Sequence, residues 1–284
     1  MTSRTPTDLS ITPRNISFGR DEKRTRWWLN NDPVATAFNN AMSVTFPQGE
    51  AFFIEAVRRY RDEVPEPLKS QITAFVKQEV LHTREHVAFN RQVSDAGYET
   101  AHMDEWTRER LTLSRAQTPL VQLTITAALE HFTAIFANSM LSHPDSFAGA
   151  SPEARRMWSW HAIEEIEHKA VAYDTFLHAS RNLPTRKRYL LRAIIMLNVS
   201  KNFVRGRSRD TLDLLRQDGI TGWKAVTKVV WYLVGKPGAL RRVFPQWLAW
   251  FRPSFHPWDH DDRSLIAKAE AEFGLAPAPL AQAA

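Results

Sequence analysis

Residues 161–168 read HAIEEIEH. Two histidines and three glutamates in eight residues could be a solvated helix face or part of a metal site. On a helix, at about 100° per residue, His161, Glu165 and His168 fall within about 60° of one another. Glu164 lies at the edge of that stripe, and Glu167 points about 120° away. An earlier stretch has the same form: Glu79, His82 and His86 share a stripe about 60° wide, with Glu85 toward its edge. Two single acids complete the set. Glu50 shares a face with Phe53, Ile54 and Val57. Glu130 is the only acid between Pro119 and His143, a stretch with no Lys or Arg. It shares a face with Leu123, Thr126, Ala127, Thr133, Ala134 and Ala137. A lone inward carboxylate is costly unless paired or protonated, so a metal ion is its natural partner. The small residues Thr126, Thr133 and Ala134 leave room there for a substrate.

The order is thus Glu, then Glu-x-x-His, then Glu, then Glu-x-x-His on four successive long helices. That is the arrangement of ferritin-like dimetal carboxylate proteins. Carboxylates can bridge two cations, here Glu79 or Glu165 together with Glu130. Each histidine supplies a terminal imidazole. Oxygen-rich ligation suits iron or manganese better than structural zinc. Two metal ions are expected, iron first, with manganese or a mixed manganese–iron pair as alternatives. Glu164, His86 and Glu85 are expected to stand behind the ligands and orient them. Glu167 is expected to be solvated or in that outer layer.

The positioning elements follow from apolar spacing and caps. A polar, irregular arm covers 1–45. Helices are expected over 46–62, with Pro47 near the start, and over 68–96, 104–115, 119–141 and 153–180, the last capped by Ser151 with Pro152 behind it. Further helices are expected over 186–205, 210–217, 222–234 and 239–251, then a tail over 263–284. The expected fold is all-α: a ferritin-like four-helix bundle over 46–180, with additional C-terminal helices in a basic, Trp-rich region over 181–262. The segment FHPWDHDD at 255–262 is expected to cap the bundle rather than bind metal.

The chain has 284 residues and no cysteine, which excludes disulfides, thiolate zinc sites and cysteine nucleophiles. No signal-peptide core is visible at the N-terminus, and no stretch approaches 18 uncharged apolar residues. A cytoplasmic protein is expected, alternatively one peripheral at the inner face of the membrane. Between Arg181 and Arg252 there are 16 Lys/Arg and three Asp, a balance of +13 against −7 for the rest of the +6 chain. Trp223, Trp231, Trp247 and Trp250 are interleaved with these cations. Membrane-surface contact and a merely solvated basic cap fit equally. Nucleic-acid binding is not expected, since no recognised module is present. An oligomer is compatible with the sequence.

The segments FPQGEAFF, QEVLHTREH, ALEHFTAIFA, WHAIEEIEHKAVAYD and FHPWDHD resemble the bacterial family called predicted metal-dependent hydrolases, over most of residues 40–260. That resemblance implies water activated by two metals. The ligand spacing also resembles di-iron arylamine N-oxygenases of the ferritin-like class, which add a third histidine one turn before the last Glu-x-x-His. It implies seven ligands: Glu50, Glu79, His82, Glu130, His161, Glu165 and His168. The sequence departs from the soluble methane monooxygenase-like pattern Asp-Glu-x-Arg-His. Gln78 and Leu81 stand in one motif, and Glu164 and Glu167 in the other, where that pattern has Asp and Arg. Three functions are therefore expected. The first is an O2-activating oxidase or oxygenase with an electron donor and a small or acyl substrate. The second is a metal-dependent hydrolase. The third is a non-catalytic metal-binding or membrane-associated protein.

Overall fold

A computed structural model describes residues 4–276. Residues 1–3 of the expected arm and 277–284 of the expected tail lie outside the described residues. Ten α-helices run in the order α1 Pro33–Arg58, α2 Leu68–Asp95, α3 Ala101–Arg115, α4 Pro119–Ser142, α5 Pro152–His168, α6 Val171–Ala179, α7 Thr185–Gln217, α8 Gly222–Val230, α9 Ala239–Ala249 and α10 Arg263–Phe273. No strand occurs among the described residues, so the chain is all-α.

The helix carrying Glu50 begins earlier than expected. Asp32 caps α1 by accepting from the amides of Val34 and Ala35, and Pro33 holds the first helical position. Pro47 is therefore interior. Its missing N–H frees the carbonyl of Ser43, which accepts instead from Asn90 Nδ2 at 3.1 Å. An interior proline is thus tolerated because α2 repairs the lost bond.

The expected helix over 153–180 is two helices, broken at Lys169–Ala170. No proline or glycine marks the break. Lys169 is buried there, with its ammonium 2.5 Å from Asp262 Oδ2 and 3.9 Å above the Trp258 ring. Residues 255–262 thus strap the end of α5. Two expected helices fuse instead as α7, which runs unbroken through Gly206. A Cβ at that glycine would lie 2.9 Å from the Trp106 ring, so Gly206 serves close approach rather than a turn. The region expected as a tail contains α10, which packs on α5.

α1 packs on α2 and α4, and α5 packs on α4 and α2, closing a ring of four long helices. The arrangement is compatible with the expected bundle. α7 lies across α1 and α4. α4 is long and apolar enough to cross a membrane by length and composition, but it carries Glu130 and 67% of its most apolar stretch is buried inside the molecule. One apolar cluster contains Trp28, Phe89 and Trp160, and a second contains Phe52, Phe75 and Trp250. His82 meets the first edge-on at Trp160, and His168 meets the second edge-on at Phe75. The polar cluster lies where these two cores meet.

Candidate metal centre

Helical period brings the inward acids and imidazoles together. α1 supplies Glu50, α2 supplies Glu79 and His82, α4 supplies Glu130, and α5 supplies His161, Glu165 and His168. All seven are buried. Glu165 Oε1 lies 2.9 Å from His161 Nε2 and 3.5 Å from His82 Nδ1. His82 Nδ1 is 3.4 Å from Glu79 Oε1. His168 Nε2 is 3.3 Å from Glu79 Oε1, 3.3 Å from Glu130 Oε2 and 3.5 Å from Glu165 Oε2. Glu79 and Glu165 thus reach toward both His82 and His168, while Glu130 sits beside His168.

Many of these donors lack a partner. Both oxygens of Glu79 and of Glu130, one oxygen each of Glu50 and Glu165, His82 Nδ1 and His168 Nε2 are buried with no hydrogen bond. Leaving so many polar atoms buried and unsatisfied would be strongly unfavourable. Adjacent ligands around an ion at about 2.1 Å stand about 3 Å apart, close to the spacings here. The residues therefore fit a metal. Three groups of donors lie within 4.8 Å of one another: Glu50, Glu79 and His82; His82, His161 and Glu165; Glu79, Glu165 and His168.

The outer layer sets the imidazole tautomers. His82 Nε2–H donates to Glu164 Oε2 at 3.1 Å, which turns the Nδ1 lone pair inward. His168 Nδ1–H donates to Gln78 Oε1 at 2.9 Å, which turns Nε2 inward. His161 is fixed by a longer chain. Ser43 Oγ–H donates to Asn90 Oδ1 at 2.7 Å, so Ser43 must accept from His86 Nδ1–H at 2.8 Å. His86 Nε2 then accepts from His161 Nδ1–H at 2.5 Å, and His161 Nε2 keeps its lone pair toward Glu165. Once their inward nitrogens are deprotonated, as metal binding requires, all three histidines present a lone pair to the carboxylates. His86 also belongs to a fourth donor group, with Glu50 and His161.

Glu164 accepts from the Trp160 indole at 3.0 Å and from the Arg14 amide at 2.8 Å. Of the two places expected for Glu167, solvent or the outer layer, it takes the second: it is buried. The N-terminal segment covers it: Arg14 donates to both its oxygens at 2.6 and 3.1 Å, and Gln78 Nε2 donates at 2.8 Å. Gln78, Glu164, Glu167 and Arg14 thus make one network behind His82 and His168. Glu85 lies apart from it, paired with Arg20 and Arg84 and accepting from the amide of Phe18. It anchors the N-terminal segment rather than orienting a ligand.

Electrostatics follow from burial among like charges. Burial, with Glu79 adding repulsion, pushes the Glu50 carboxyl well above its usual range. Burial pushes Glu130 up to about 8. Burial works downward on His82 and His168, but the surrounding glutamates outweigh it and hold both imidazoles well above their usual range. Burial works upward on Glu165, yet His168, His161 and His82 hold it well below the usual carboxylate range. His86 and His161 are pushed down by burial and by neighbouring imidazoles. The cluster draws cationic charge inward.

A cavity of about 250 Å³ reaches His161 and Glu165. Phe38, Met42, Phe46, Phe136 and Tyr232 wall it, with Asp32 and Arg242 among its polar lining. Of the three residues expected beside a substrate, Thr133 lines this cavity. Thr126 and Ala134 do not: the Thr126 hydroxyl is turned back onto the carbonyl of Gln122, and Ala134 is buried. The residues of the 255–262 segment belong to none of the metal-capable groups found among the described residues. There His256 pairs with Asp174, and Asp262 with Lys169.

An all-α chain with buried glutamates and imidazoles converging from four helices is a candidate helical metalloprotein. It belongs to the family described as predicted metal-dependent hydrolase, whose model matches residues 12–261. No curated protein and no solved structure matches the chain.

Proposed function

We propose that the cluster holds two divalent metal ions and serves hydrolysis of a small, largely apolar substrate. Glu79 and Glu165 would be shared between the ions. Glu50, His82 and His161 would complete one set of ligands, and Glu130 and His168 the other. The carrying observation is the set of buried donor atoms without hydrogen bonds that face one another across about 3 Å. Charge supports the count: four glutamates carry −4 when ionised, and two divalent ions neutralise them. Hydrolysis is favoured by family membership.

A dimetal centre supplies Lewis acidity and deprotonated water near neutral pH. The chain's own residues do the remaining work. Gln78, Glu164 and the Ser43–Asn90–His86 chain hold the three imidazoles in one tautomer each. Phe38, Met42, Phe46 and Phe136 exclude bulk water from the cavity and select an apolar group. Thr133 lines both this cavity and a second one beside Phe53 and Leu129; its hydroxyl donates to the carbonyl of Glu130 at 3.0 Å, which leaves its oxygen to accept from a substrate.

A second reading, O2 activation by two iron ions, is favoured by the donor set itself. Four carboxylates and three imidazoles without thiolate, sealed between helices, match the di-iron N-oxygenase spacing. One experiment separates the readings. The purified protein is analysed for metal, then offered p-nitrophenyl esters and phosphates, and separately its anaerobic Fe(II) form is mixed with O2. Ester or phosphate turnover that depends on metal, without O2 uptake, supports hydrolysis. Stoichiometric O2 uptake without hydrolysis overturns it in favour of the second reading.

A further inference from the structure

Between Gly219 and Trp258 the chain has six Lys or Arg and no Asp or Glu. This stretch forms α8, a π-helical turn over Trp231–Gly235, and α9. Ala225, Val229, Leu233 and Val243 point into the body. The other sides face solvent. Trp223 is 77% exposed and Trp231 63%, and Val226, Val230, Val234, Phe244 and Leu248 are exposed with them. Positions 223, 226, 230 and 234 are three or four residues apart, so they form one stripe. Lys224, Lys228 and Lys236 are exposed beside it. An apolar stripe that contains one indole, Trp223, with the exposed Trp231 at its flank marks a surface that something covers.

We propose that this hairpin docks on an anionic lipid bilayer. Trp223 and Trp231 enter the interface, and Lys224, Lys228 and Lys236 meet the phosphate headgroups. Charge complementarity carries the choice of occupant: no acid in the stretch neutralises the lysines, and indoles at an apolar–polar boundary beside lysines suit a headgroup layer. A nucleic-acid surface would interleave its aromatics with polar groups in a basic groove. Here valines separate them instead. A second copy meeting this patch across a twofold axis would oppose lysine to lysine.

The same hairpin borders the cavity of the metal centre. Tyr232, Pro237, Ala239 and Arg242 line it together with His161 and Glu165. An apolar substrate drawn from the bilayer would therefore enter at the docked face. That last step rests on the function proposed above, whereas docking does not.

The test uses the full metal-loaded chain in a flotation assay. Vesicles of phosphatidylglycerol and phosphatidylcholine are compared with phosphatidylcholine alone, at low and high salt. Flotation with the anionic vesicles only, reduced by salt and accompanied by a blue shift of tryptophan emission, is expected. Trp223→Ser/Trp231→Ser and, separately, Lys224→Gln/Lys228→Gln should each weaken partitioning by about tenfold or more. Circular dichroism should be unchanged, because all four side chains are exposed. No flotation of the parent chain, or equal flotation of both double variants, overturns the proposal. So does a duplex DNA fragment that outcompetes the vesicles, or a dimer in solution that the tryptophan variant dissolves. The readout is vesicle binding and not turnover, so docking and the metal chemistry fail or stand separately.

Discussion

His86 Nε2 lies 2.5 Å from His161 Nδ1. The contact decides which nitrogen of His161 is free, and it depends on a hydroxyl two bonds further out, on α1. Replacing Ser43 with Ala removes the acceptor that orients His86. Metal affinity should fall about tenfold, the usual cost of losing a partner behind a ligating imidazole. Competition against a chromogenic chelator reads it, and unchanged affinity would remove Ser43 from the chain of bonds.

Glu79 and Glu130 should behave differently when truncated. Glu79 reaches toward both His82 and His168, so Glu79→Ala should leave neither ion tightly held. Glu130 stands beside His168, so Glu130→Ala should leave one ion per chain. Metal-to-protein ratios by mass spectrometry check this. Equal ratios in the two variants would refute the shared role of Glu79.

The metal-free form should lose stability as pH rises. Glu130 holds its proton up to about 8 when folded, and Glu50, His82 and His168 are shifted in the same direction. A group that binds its proton more tightly in the folded chain stabilises it at low pH, and that contribution is lost as pH passes through the folded value. Glu165 is shifted the other way, and its contribution is lost only in acid. His86 and His161 are lowered, so their opposing effect lies below the usual imidazole range. The melting temperature of the metal-free chain should therefore drop between about pH 7 and about pH 9. Loading with metal should abolish most of the drop, because the carboxylates are then paired. A flat calorimetric profile for the metal-free chain would contradict the assignment.

Arg14 is a second point of failure. It joins Glu164 and Glu167 on α5 to Glu270 on α10. Arg14→Ala strips buried carboxylates of their partner, at a cost on the order of 3–5 kcal/mol. Urea unfolding should show that loss. Arg14→Lys should recover only part of it, since an ammonium cannot make the same forked contacts. Stability equal to the parent would mean that the N-terminal segment is dispensable to the fold.

The residues that meet at the cluster were legible because helical period alone sorts inward from outward positions. Glu130 stood out because its helix carries no other charge. What lies behind them was not legible. Glu167 appears outward by angle, and its partner Arg14 lies more than 150 residues away in a stretch with no regular pattern. The break after His168 has no local signal, because a strap from residues 255–262 imposes it. Pro47 was misleading, since proline commonly starts a helix. Its interior place is tolerated only through Asn90, on a different helix. Local physics named the donors, and tertiary contacts fixed their orientation.

The Arg14 junction also orders events during synthesis. Arg14 is made 256 residues before its partner Glu270 and 261 before Leu275, whose carbonyl it also reaches. The layer behind His82 and His168 therefore cannot be completed before Glu270 and Leu275 are made, even though every donor from Glu50 to His168 precedes them by about a hundred residues or more. Tight capture of metal should wait until Glu270 and Leu275 have emerged. An extension fused ahead of Arg14 would be expected to slow that capture before it disturbed any helix.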